Sequence, residues 1–171
     1  MCLLTDVAGG GPLCNFLNST GRPDLRYRFG ALAFWPPGAS APIIHKTNDS
    51  DPLDALRDAM LSGPCEVWIE DVPCFAGKLL PGSAMFRLGK NCGIWEGLAR
   101  GLGISIRLTR PQDWQAGISG VGKLKGAERK RALRTAASRI FPQVKVTLDN
   151  CDALLILDFG RRVNGFNPSD N

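Results

Sequence analysis

From Phe29 onward the chain alternates short apolar runs with longer stretches in which apolar residues recur at helical spacing, and this alternation constrains the fold more than any other feature. Phe29-Gly-Ala-Leu-Ala-Phe-Trp35 has the length and composition of a buried strand and is stopped by Pro36-Pro37-Gly38. Ala41-Pro-Ile-Ile-His-Lys46 follows as a hairpin partner. Asp51 to Leu61 has a proline in its first turn and apolar residues at Leu53, Leu56, Met60 and Leu61, which predicts a helix. Cys65-Glu-Val-Trp-Ile-Glu-Asp71 is a strand that delivers acids at its carboxyl end. A helix is expected from about Ser83 to Leu102, a strand at Ile104 to Leu108 and a short helix opening at Arg110. A glycine-rich basic loop from Gly117 to Gly126 leads into a helix from Ala127 to Phe141. Val144 to Leu148 reads as extended, and Asn150 to Phe159 as a final apolar helix. A hairpin followed by strands alternating with helices predicts one mixed α/β sheet with helices packed on its faces.

The 171 residues, 44% of them apolar and 22% charged, suit one compact domain rather than a disordered or fibrous chain. Residues 1–28 are poorly patterned, with turn-forming clusters at Ala8 to Pro12 and Asn18 to Pro23; the domain is expected over 29–162 and a tail over 163–171. No apolar run reaches the ~18 residues of a membrane span. Met1-Cys-Leu-Leu-Thr-Asp6 lacks the basic and apolar regions of a secretory signal, so the expected location is cytoplasmic, with no membrane partner.

The six cysteines include no Cys-x-x-Cys pair and there is one histidine, His45, which argues for free buried thiols over a structural zinc. A single imidazole also weakens Ser-His-Asp and Cys-His mechanisms.

Charge is unevenly placed. The whole chain carries +5, yet Arg107 to Lys145 holds ten basic and two acidic residues, a local balance of +8 against −3 elsewhere. Clustered Lys and Arg suit a polyanion, because phosphate binding releases condensed counterions; a solvated helix face would have the same composition.

Three acids stand where chemistry can use them. Glu70 ends a buried-looking strand, and ligand sites in open α/β sheets gather beyond the carboxyl ends of strands. Asp149 and Asp152 are three apart at the start of the last helix, where they can share a face or serve as a cap and a first-turn acid. Carboxylates from separate segments match the needs of Mg²⁺ or Mn²⁺, and two such ions can activate water and stabilise the leaving oxygen of a phosphodiester.

These residues lie within a longer resemblance. Cys65-Glu-Val-Trp-Ile-Glu-Asp-Val-Pro73, Phe86-Arg-Leu-Gly-Lys-Asn-Cys-Gly-Ile-Trp-Glu-Gly97, Thr109-Arg-Pro-Gln-Asp-Trp114, the basic loop and Asp149-Asn-Cys-Asp-Ala-Leu-Leu-Ile156 resemble the ordered landmarks of RuvC-type Holliday-junction resolvases, most closely the phage and prophage crossover-junction endodeoxyribonucleases. The resemblance covers about Phe29 to Arg162. It implies a ribonuclease H-like fold, a mixed five-stranded sheet with helices on both faces and here a degenerate first strand. It also implies a homodimer on a four-way DNA junction that nicks two opposed strands with Mg²⁺ or Mn²⁺, two ions and no small-molecule cofactor.

Carried over by position, the resemblance makes Glu70, Asp149 and Asp152 catalytic metal ligands, or residues that orient them. Arg87 and Lys90 fall on the family's DNA-facing stretch, and Lys123, Lys125, Arg129 and Lys130 where it carries basic DNA contacts. Trp114 matches an aromatic expected to pack rather than read DNA. The front departs from the pattern. If Pro23 aligns with the family proline, Arg22 stands where the first catalytic Asp belongs. Asp24 is the substitute metal ligand expected from the alignment, and Asp6, before Gly9-Gly-Gly11, is an alternative that requires a long hairpin insertion.

Two other readings stay open. Without the first acid the chain would be a catalytically impaired nucleic-acid-binding member of the same fold. Gly117-Ile-Ser-Gly-Val-Gly-Lys123 has the start of a phosphate-binding loop, but Leu124 replaces the hydroxyl residue that would hold Mg²⁺ in a phosphotransferase.

Overall fold

The computed structural model describes residues 2–4, 31–46, 51–71 and 82–165. In chain order the elements are β1 (Cys2–Leu4), β2 (Ala31–Phe34), β3 (Ile43–Lys46), α1 (Pro52–Leu61), β4 (Cys65–Glu70), α2 (Gly82–Gly101), β5 (Ser105–Thr109), α3 (Pro111–Gln115), α4 (Gly126–Ile140) and α5 (Cys151–Val163). Among these residues no helix is long and apolar enough to cross a membrane.

The hairpin forms as expected: β2 and β3 pair antiparallel with Ala31 opposite Lys46 and Phe34 opposite Ile43. Strand β4 lies between β1 and β5 and is parallel to both, with Cys2 opposite Cys65 and Glu70 opposite Thr109. Two expectations are corrected here. A strand, β1, precedes Phe29 within the poorly patterned segment. The five described strands also do not form one hydrogen-bonded sheet but a three-stranded parallel sheet and a two-stranded ribbon. β1 lies beside β2 without a ladder.

Alternation along the strands divides the core. Leu32 and Phe34 of β2 and Val67 and Ile69 of β4 face α1 and α2, packing with Ala55, Leu56, Trp95 and Ala99. Ala31, Ala33 and Trp68 face the other way, onto Trp114, Leu133, Ala137, Phe141 and the buried run of α5. Helices therefore cover both faces. Glu70 is two residues from Trp68, so the period of a strand turns it toward the α5 side.

Local chemistry sets the helix ends. Asp51 Oδ1 accepts from the Leu53 N–H at 2.8 Å, with Pro52 at the first helical position, so α1 starts where the sequence placed it. The segment before α5 is not extended, contrary to expectation. The buried Asn150 side chain accepts from the Thr147 N–H at 2.7 Å and donates to the Lys145 carbonyl at 3.1 Å, folding residues 145–150 into a turn. Asn150 also takes the cap position, which removes the expected capping role of Asp149.

α5 is buried continuously from Cys151 to Leu157 and packs on β1, β2, β4, α3 and α4. Its far end is tied to the sheet by Glu66, which accepts from Trp68 Nε1 at 2.9 Å, Arg107 Nε at 2.6 Å and Asn164 Nδ2 at 3.2 Å. Truncating Leu154, fully buried in α5, is expected to cost about 3 kcal/mol; urea unfolding of Leu154→Ala with an unchanged m-value checks it.

Candidate active site

The site is built from the carboxyl end of β4 and the first turn of α5. Glu70 is the last residue of β4 and Asp152 the second residue of α5; both are buried, at 9% and 5% exposure. Each sits on a rigid element rather than a loop, and each is flanked by core: Ile69 before Glu70, Cys151 and Ala153 around Asp152. The Cys151 thiol lies 3.4 Å from Asp152 Oδ1, and the Lys130 ammonium pairs with Asp152 Oδ2.

Two carboxylates brought together out of water cannot both hold full charge cheaply. Burial, followed by the field of Asp152, pushes the Glu70 carboxyl up to about 7. The Trp114 indole and the Lys130 and Arg129 side chains pull in the opposite direction. Trp114 is fully buried in α3, as expected of a packing residue, and its indole N–H favours the Glu70 carboxylate without completing a hydrogen bond of normal geometry.

The basic residues divide into two groups. Arg129 and Lys130 flank the buried Leu133–Ala137 stripe of α4 and face inward: Arg129 donates to Gln115 Oε1 in α3, and Lys130 meets Asp152. Lys123 and Lys125 are exposed on the loop before α4, and Arg131, Arg134 and Arg139 are exposed along its outer side. Lys90 is exposed on α2. Arg87 belongs to α2, but its side chain is outside the described residues, as are Asp24 and Asp6 altogether. Asp149 is exposed in the turn before α5.

Of the predicted acids, then, the structure brings Glu70 and Asp152 together. Among the described residues no group of three or more His, Cys, Asp or Glu is arranged to hold a metal ion. Gln115 and the inward role of Lys130 were not foreseen. Helical phase offered one signal, because Lys130 and Leu133 are three apart and so share a face.

No family model matches the chain, and no curated protein matches it. Among solved structures it is similar to RuvC from Thermus thermophilus, at 13% identity, over 96% of this chain and 97% of that one, with a TM-score of 0.51. The chain has a RuvC-like fold. At that identity the likeness concerns the backbone and does not extend to the Glu70–Asp152 pair.

The shift at Glu70 has a pH signature. Its carboxyl is raised from 4.5 to about 7, so the folded state binds the proton more tightly than the unfolded state. Stability contributed by the protonated form is complete below about pH 4.5 and is lost as pH rises to about 7, on the order of 3 kcal/mol. Metal-free protein in a chelator should therefore lose stability across that window in urea titrations, and Glu70→Gln should flatten the profile.

Proposed function

We propose that this chain is a metal-dependent endodeoxyribonuclease that nicks four-way DNA junctions by phosphodiester hydrolysis. The observation that carries the reading is the Glu70–Asp152 pair, held at the carboxyl edge of a parallel sheet in a RuvC-like fold. The order of landmarks along the sequence agrees with it.

The donor set fits a hard divalent ion. Both groups offer oxygen and both are buried, and burial, followed by the charge of Asp152, raises the Glu70 carboxyl. Glu70 and Asp152 would hold Mg²⁺ or Mn²⁺ together with an acid from the amino-terminal segment, and bound ions would supply water activation and leaving-oxygen stabilisation. Asp149, one turn before Asp152, would act from the exposed rim.

For the amino-terminal acid, Asp24 is the substitute that the resemblance offers and Asp6 the alternative. Cys2, Leu3 and Leu4 run parallel to Cys65, Glu66 and Val67. Counted on in that register, Asp6 would fall opposite Ile69, whose side chain faces α1 and α2, so register by itself does not bring it to the Glu70 side.

The chain's own residues would perform three further tasks. Lys123 and Lys125, exposed on the loop before α4, would hold backbone phosphates, with Arg87 and Lys90 on α2 as a second contact region. Arg129, fixed by Gln115, would keep positive charge beside Glu70. Trp114 and the surrounding core exclude water from behind the acids. A homodimer would match the two-fold symmetry of a four-way junction and place one site at each of two opposed strands.

The alternative is a binding protein of the same fold without hydrolysis, which the inward Lys130 and the pair of carboxylates without a described third favour. A synthetic four-way junction with Mg²⁺ or Mn²⁺ separates the two. Nicking lost in Glu70→Gln and in one of Asp24→Asn and Asp6→Asn, with binding within a few-fold throughout, is the expected pattern; intact binding by an inert wild type establishes the alternative. Phosphate contact by the loop is read from salt. Lys123→Ala and Lys125→Ala should each flatten the slope of log affinity against log salt by about 1.

A further inference from the structure

We propose that Lys130 is a built-in counter-cation of the Glu70–Asp152 pair, which a divalent metal ion must displace before it can engage both carboxylates. The inference rests on the metal-site reading above and adds to it a residue that sets when the site can load.

Three observations carry it. Lys130, in the second turn of α4, places its ammonium on Asp152 Oδ2, the oxygen left open by the Cys151 thiol on Oδ1. The lysine side chain is 30% exposed whereas that of Asp152 is 7% exposed, so the cation has a path to solvent and its partner has none. The neighbouring Arg129 is held to Gln115 from α3, while Lys130 reaches the acid on a flexible four-carbon stem. One of these cations is therefore tied to a neutral amide, and the other to the very oxygen a metal ion would take.

The electrostatics run in one direction. Without metal, two buried carboxylates repel each other and a single ammonium relieves that repulsion. A divalent ion neutralises both, and an ammonium left on Asp152 would then face a doubled like charge at short range. The two cations exclude each other, so part of the metal's binding free energy is spent releasing Lys130. Metal affinity is weakened by the presence of the lysine, and the empty site is stabilised by it.

Mn²⁺ titrated into the metal-free full-length chain at about pH 8, followed by calorimetry and by the resonance of free Mn²⁺, tests this directly. Lys130→Met is expected to bind Mn²⁺ ~10-fold more tightly than wild type, with a lower melting temperature in chelator that Mn²⁺ restores. A second measurement uses the unaltered protein. Pulsed acetylation read by peptide mass spectrometry should label Lys130 several-fold faster with Mn²⁺ bound than without. Equal or weaker Mn²⁺ binding by Lys130→Met overturns the proposal and makes the lysine a support for Asp152, as does labelling that Mn²⁺ leaves unchanged. If wild type and Lys130→Met both fail to bind Mn²⁺ at millimolar concentration, the metal-site reading itself falls and this inference falls with it.

Discussion

Helix α5 is buried on all sides from Cys151 to Leu157, and that burial fixes the rest. A helix enclosed by β1, β2, β4, α3 and α4 has no freedom to slide or rotate without opening the core on several fronts at once. Asp152 is carried inside with it, although a carboxylate would be more stable in water. Glu70 arrives from the opposite direction, turned to the same side by the two-residue period of β4. Packing of apolar residues thus forces two acids together, and the cationic ends of Arg129 and Lys130 answer the charge that results.

The consequence is a site under electrostatic load. Burial and the field of Asp152 raise the Glu70 carboxyl, and the ammonium on Asp152 partly offsets the repulsion. Such an arrangement is costly for a purely structural role, since apolar side chains of the same volume would pack there without desolvating charge. It is well suited to receive a concentrated positive charge. The outer side of α4 and the loop before it present further basic residues to solvent, so the acidic pair and an exposed basic surface lie on neighbouring elements.

Much of the fold was legible from local pattern. Pro52 after Asp51 marked the start of α1, the apolar spacing of the later segments marked α2, α4 and α5, and the Cys65 to Glu70 run marked β4. Two segments were misread for identifiable reasons. Cys2-Leu-Leu4 is a short run without apolar–polar alternation between residues that carry no strand pattern, and its pairing partner lies more than 60 residues away in β4. Val144 to Leu148 alternates like a strand, yet Asn150 supplies its backbone with hydrogen bonds that a sheet would otherwise have to provide.

The sequence by itself determined that the chain is α/β, that Glu70 ends a strand and Asp152 begins a helix, and that positive charge concentrates between them, because each follows from neighbouring residues. Only the tertiary structure decided which charges meet. Lys130 and Asp152 are 22 positions apart and Glu70 and Asp152 lie on different layers, so no local spacing encodes their contact. The same holds for the basic segment: read along the chain it is one run, but the 3.6-residue turn of α4 sends Arg129 and Lys130 inward and Arg131, Arg134 and Arg139 outward.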